Sequence, residues 1–141
     1  MIYLPDVNVW IAFASDKHAH HAIAKSWFQS LIADQVAFCR ITELGFLRLV
    51  TNKHVMGSDV LNAIAAWRIY DELRADPRVL FLGEPAGFSE HWRRAGNQIV
   101  GGPNAWTDAY LAALASHTGT TVATFDKHFA TTGNCTVYAL Q

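Results

Sequence analysis

"IYLPDVNVWIAF", residues 2–13, is almost wholly apolar, yet Asp6 stands in its middle. Residues 2–5 read as a short buried strand, and "VNVWIAFA", 7–14, turns into a helix. Asp6 therefore sits where a strand hands over to a helix. A carboxylate placed there is either a helix cap or one corner of a metal site. The rest of the chain has to be read to choose.

Outward from this stretch, strand and helix patterns alternate. "HAIAKSWFQSLIAD", 21–34, puts Ile23, Trp27, Leu31 and Ile32 on one helical face. His20 or His21 would pack beside Trp27. "VAFC", 36–39, reads as a second buried strand. "TELGFLRLVTN", 42–52, reads as a helix opened by Thr42, with Leu44, Phe46 and Leu47 facing inward. A long helix follows, with Ser58 as its N-cap and Pro77 as its stop. "RVLFLG", 78–83, is a third strand, and 88–100 an amphipathic helix. "GGPN", 101–104, is a loop, and 107–119 a helix closed by Gly119. Residues 121–125 and 136–140 are the last strands. This order predicts an α/β fold with parallel, right-handed crossovers and a sheet covered on both faces.

The chain has 141 residues, enough for one domain with one core. It is 51% hydrophobic and 16% charged, the balance of a globular chain rather than a disordered one. A net charge of −1 argues against a broad basic surface that would hold nucleic acid by charge alone. It leaves room for a nucleic-acid enzyme whose metal ions supply local positive charge. Cys39, in "QVAFCR", reads as a small buried hydrophobe, and neither a disulfide framework nor zinc spacing appears. No basic stretch opens an apolar leader, and no apolar run approaches the roughly 20 residues of a membrane span. A cytoplasmic protein is expected.

In an open parallel sheet, ligands bind beyond the carboxyl ends of the strands. Four acids fall there: Asp6 after the first strand, Glu43 at the start of the helix after the second, Asp126 at the end of "TVATF", and Asp108 in the first turn of the preceding helix. Each alone has an ordinary reading as a cap, a first-turn acid or a turn residue. All four on one edge weaken that reading. Carboxylates so gathered repel, and need either a cation or a proton. Oxygen donors of this kind suit Mg²⁺ or Mn²⁺, which activate a water and steady charge on a phosphate oxygen. The remaining acids lie in polar loops or on polar helix faces.

Other polar residues carry weaker signals. His18, His20 and His21 have no acid or cysteine at ligand spacing and read as a loop and helix start. Lys127 and His128, next to Asp126, are either residues of a solvated turn or contacts to a substrate phosphate. Arg40, Arg48 and Lys53 are either ordinary surface cations or the lining of an RNA path, where phosphate contacts position without reading bases.

"LPDVNVWIAF", "ITELGFLRL", "WTDAYLAALA" and "ATFDKHF", in that order, together resemble the PIN-domain family. Within it, the nearest likeness is to VapC-type toxins of bacterial toxin–antitoxin pairs; "HAHHAIAKSWF" is similar to one VapC subgroup. The resemblance implies a single PIN domain over 1–141. It implies a three-layer α/β/α sandwich around a mostly parallel sheet of about four to five strands. It also implies an Mg²⁺-dependent endoribonuclease, with Mn²⁺ able to substitute. The family's four acids fall on Asp6, Glu43, Asp108 and Asp126. Asp6 and Asp108 would bind the metal directly. Glu43 and Asp126 would bind through water, hold a second ion or orient the nucleophile. Asn8 would hydrogen-bond within the pocket, and Thr107 holds a variable position.

The implied activity is cleavage of structured RNA, transfer or ribosomal, which halts translation. Implied partners are a VapB-type antitoxin covering the site, a second copy in a homodimer, and operator DNA reached through the antitoxin; the charge of the acidic pocket adds the expectation that the antitoxin inserts a basic side chain there. Alternatives are a PIN nuclease of RNA maturation, a non-catalytic PIN module binding RNA or protein, and a phosphatase with an Asp nucleophile. The last wants a second acid two residues on, where Asn8 stands.

Overall fold

The computed structural model describes residues 1–97, 99–129 and 135–141. Five strands form one sheet: β1 (Ile2–Pro5), β2 (Gln35–Phe38), β3 (Val79–Phe81), β4 (Thr121–Thr124) and β5 (Thr136–Ala139). Their order across the sheet is β3-β2-β1-β4-β5, and every pairing is parallel. Helices α1 (Val7–Ala14) and α2 (His21–Ser30) carry the chain from β1 to β2. From β2 to β3 run α3 (Arg40–Val50), α4 (Lys53–Met56), a 3₁₀ turn and α5 (Ala63–Ala75). Helices α6 (Phe88–Gly96) and α7 (Ala105–Thr118) then lead to β4.

Strand side chains alternate between two faces, and each face builds its own core. On one, Val36, Phe38 and Ala123 meet Trp10, Phe28, Phe46 and Tyr70 from α1, α2, α3 and α5. Trp10 stacks on Phe38 at 3.8 Å between ring centroids. On the other, Leu4, Ala37, Cys39 and Val122 meet Leu111, Leu114 and Phe88 from α7 and α6. The three-layer arrangement and the parallel sheet agree with the sequence expectation, and Cys39 is buried.

Several local expectations fail for reasons of helix phase. Helix α3 opens at Arg40, not Thr42; Cys39 caps it, and Thr42 completes a capping box at its third position. Its buried stripe is therefore Thr42, Glu43, Phe46 and Val50, which turns Leu44 outward to 50% exposure. Helix α2 ends at Ser30 with Leu31 in extended backbone, so Ile32 leaves the helical face and is 94% exposed. Asn62, not Ser58, caps α5: its Oδ1 accepts from the Ala65 amide at 2.8 Å, while Ser58 lies in the 3₁₀ turn. The helix expected over 88–100 stops at Gly96, and Gln98 lies outside the described residues. Helix α7 runs from Ala105 to Thr118 and is capped by Gly119, whose φ of 69° is the left-handed closure that glycine favours. His20 stacks on Phe125, and His21 Nδ1 is hydrogen-bonded to the Ala12 carbonyl.

Candidate active site

The strand order reverses direction between β1 and β4: the chain goes from β1 to β2 on one side, then returns past β1 to β4 on the other. At such a switch point the loops diverge and leave a crevice beyond the carboxyl ends. Asp6 follows β1 and Asp126 stands two residues past β4.

Asp6 fills both roles its position allows. As the N-cap of α1, its Oδ1 accepts from the Asn8 amide at 2.6 Å. Its Oδ2 accepts from the Thr124 hydroxyl at 2.7 Å. That hydroxyl in turn accepts from the Asp126 amide at 3.0 Å, so one threonine ties the ends of β1 and β4 together. Thr124 is fully buried. The only sequence sign of it was a hydroxyl at the end of an otherwise buried strand. Asn8 takes part through its backbone N–H, while its side chain is exposed.

Asp6 is buried. Burial raises its carboxyl above the usual range; the bonds from Thr124 and Asn8 pull it back, and the charge of Asp126 pushes it up again. Asp108, in the first turn of α7 and half-buried, is pushed up to about 6, first by desolvation and then by the charges of Asp6 and Asp126. The three aspartates thus feel one another across β1, α7 and β4. Asp126 is exposed and its Oδ1 accepts from the His128 amide at 2.8 Å, the geometry of a turn residue. Thr107 is exposed and makes no cap bond.

Glu43 is placed differently. It is buried at the start of α3, and its carboxylate takes Nη1 of Arg40 at 2.5 Å. Burial and this same carboxylate push the Tyr70 hydroxyl up to about 12, while Arg74 Nη1 donates to that hydroxyl at 3.1 Å. Glu43 therefore shares the sheet edge with the aspartates but is compensated by its own cation. Among the described residues, no three His, Cys, Asp or Glu side chains converge closely enough to hold an ion between them. Away from this edge, a groove of ≈600 Å³ lies between α6 and α7 along Trp92, Arg93 and Trp106.

This edge can do two things: gather negative charge that a cation would relieve, and present it openly enough for a polymer to reach. The chain's likeness to known proteins agrees with the geometry. Residues 3–134 match the PIN domain family model, and the chain belongs to that family. It is 37% identical over 131 residues to ribonuclease VapC41 of Mycobacterium tuberculosis, covering 89% of this chain and 90% of the relative. Its fold matches the VapBC2 complex of Rickettsia felis bound to a promoter DNA fragment, with a TM-score of 0.71, 14% identity and full coverage of both chains. It also matches VapC20 of M. tuberculosis, a toxin that cleaves the sarcin–ricin loop, with a TM-score of 0.63 and 20% identity over 92% of this chain and 93% of that one. At those identities the two structures speak for the fold. No helix among the described residues is long and apolar enough to cross a membrane.

Proposed function

We propose that this protein is a metal-dependent endoribonuclease acting as the toxin of a type II toxin–antitoxin pair. The observation that carries the reading is the gathering of Asp6, Asp108 and Asp126 at one sheet edge, where desolvation first and the neighbouring aspartates second push Asp108 up to about 6. A fold does not gather uncompensated carboxylates without cost; a divalent cation relieves it. The donor set fits Mg²⁺, which takes one or two carboxylates and keeps several waters, so a tight three-residue cage is not required. Asp6 and Asp108 would hold the ion, which when bound supplies an activated water and steadies charge on the phosphate.

The protein's own residues do the rest. Thr124 and the Asn8 amide fix the Asp6 carboxylate in one orientation. Asp126, exposed beside them, is suited to orient the attacking water. Glu43 stands at the rim with Arg40. Kinship to VapC41 supports the ribonuclease assignment, and the VapBC architecture supports a VapB-type antitoxin as partner. Structured ribosomal or transfer RNA is the substrate class, the cytoplasm the site of action and a homodimer the working form. The antitoxin would cover the acidic edge with a basic side chain.

Asp6→Asn and Asp108→Asn should each abolish RNA cleavage and growth arrest, with circular dichroism unchanged. Full cleavage of cellular RNA by metal-stripped Asp108→Asn protein would overturn the reading.

A further inference from the structure

A polyanion approaching Asp6, Asp108 and Asp126 meets charge of its own sign. Phosphates need a cation at the rim to hold them there. Arg40 stands at that rim. The β1–β2 register pairs Tyr3 with Val36; carried forward, it sets Asp6 opposite Cys39, one residue before Arg40. Adjacent strands lie about 4.8 Å apart.

The Arg40–Glu43 pair is lopsided. The arginine side chain is 71% exposed and the glutamate side chain 10%. An ordinary surface pair has two wet partners and is worth little. Here a buried carboxylate grips one end of a guanidinium and leaves the remainder in solvent. The guanidinium also lies over the Phe81 ring, 4.8 Å from its centroid. Arg74 lies over the same ring at 5.5 Å. Glu43 and Phe81 thus fix where the Arg40 side chain goes. A guanidinium has five N–H donors, and among the described residues the Arg40 side chain makes no hydrogen bond besides that of Nη1 to Glu43. The free donors form a fork of the kind that binds phosphate.

We propose that Arg40 is the backbone-phosphate contact that seats RNA beside the aspartates, and that Glu43 serves to aim it. This inference rests on the nuclease reading. It gives Glu43 a task other than holding metal. It also predicts that Arg40 acts on binding rather than on the chemical step.

The test uses the full chain in the Asp108→Asn background and a fluorescein-labelled RNA hairpin followed by anisotropy over a salt series. Arg40→Gln should weaken binding about tenfold and lower the salt slope by about one phosphate contact. Arg40→Lys keeps the charge without the fork. It should retain the slope and recover only part of the affinity. In the wild-type background, Arg40→Gln should raise KM for cleavage while leaving kcat within about threefold. Should Arg40→Gln unsettle the fold by leaving Glu43 unpaired, Arg40→Lys still decides: full wild-type affinity in that variant overturns the proposal. So does an unchanged salt slope in a folded Arg40→Gln protein, and so does loss of antitoxin binding with RNA affinity intact. If wild-type protein supplied with Mg²⁺ cleaves no RNA, the nuclease reading fails, whereas the salt slope still reports on Arg40.

Discussion

The two edges of the sheet treat their charges in opposite ways. At the amino edge every acid named below has a cation. The chain's amino group lies 3.0 Å from Asp34, just ahead of β2. Ahead of β3, Asp76 takes both Nε and Nη2 of Arg78, at 3.1 and 2.8 Å. Those bonds hold Asp76 below the usual carboxylate range. At the carboxyl edge, Asp6 and Asp108 are both lifted above that range, by burial first and by neighbouring aspartates after it. One residue type, in one fold, is shifted in opposite directions. Charge at the amino edge holds the structure together. Charge at the carboxyl edge strains it, and such strain belongs to sites that bind something.

The contrast breaks most sharply at Arg78. Its Nη1 also donates to the Phe28 and Leu31 carbonyls at 2.9 and 3.1 Å, and its guanidinium lies 4.2 Å from the centre of the Phe28 ring. It therefore ties the end of α2 to the start of β3. Arg78→Ala should cost about 2–3 kcal/mol in denaturant unfolding, because it strands charge-assisted bonds that are partly buried. Cleavage by the protein that remains folded should be unchanged. Loss of catalysis without loss of stability would erase the division between the edges.

Much of this was legible in the sequence. Alternation of apolar runs and helical stripes located all five strands, and the topology of parallel sheets then placed four acids on one edge. What sequence could not supply depends on long-range pairing or on exact helix phase. The Thr124–Asp6 bond joins residues 118 apart, and no local pattern marks that hydroxyl. Which face of α3 packs on the core decides that Glu43 turns inward and Leu44 outward: the two lie about 100° apart on the helix, and the stripe Thr42, Glu43, Phe46 and Val50 takes the buried side. Arg40 itself could not be told from any surface cation until Glu43 was seen to be buried beneath it. Asp6 shows a further limit. Cap and site residue were posed as alternatives, but one carboxylate has two oxygens, and its cap bond uses only one.

The second prediction exploits the sign of the shift at Asp108. Its folded carboxyl is raised to about 6 from an ordinary value of 3.8. Below the ordinary value it is protonated in both folded and unfolded chains and affects stability not at all. As pH climbs from 3.8 towards about 6, the unfolded chain ionises while the folded carboxyl keeps its proton, so the folded state loses ground, and the loss is complete above about 6. Asp108→Asn should therefore melt higher than wild type at neutral pH, by about 2–4 °C once solvent screening of a half-exposed group is allowed for. The gain should vanish near pH 4. Asp76 runs the other way: its contribution is present above its ordinary value and fades as pH falls through its lowered one. Adding Mg²⁺ at neutral pH should raise the melting point of wild type more than that of Asp108→Asn. Equal melting of the two proteins at every pH would mean that the carboxyl edge carries no strain.

The smallest expected effect tests how finely that edge is spaced. Gly45 lies in α3, where a Cβ would come within 3.0 Å of Val7 Cγ2 at the start of α1. Helix α3 therefore settles directly on the Val7 side chain of α1, which sets Arg40 and Glu43 relative to Asp6. Gly45→Ala brings two opposing effects: a gain of about 1 kcal/mol in helix propensity, and a clash that pushes α3 away. Net stability should change by less than about 1 kcal/mol. RNA affinity should fall about threefold, because Arg40 moves with its helix. Adding Val7→Ala removes the methyl that a Cβ at 45 would strike and should restore affinity. If the single variant binds RNA like wild type, the fit between α1 and α3 is not what holds Arg40 beside the aspartates, and Glu43 and Phe81 alone must suffice.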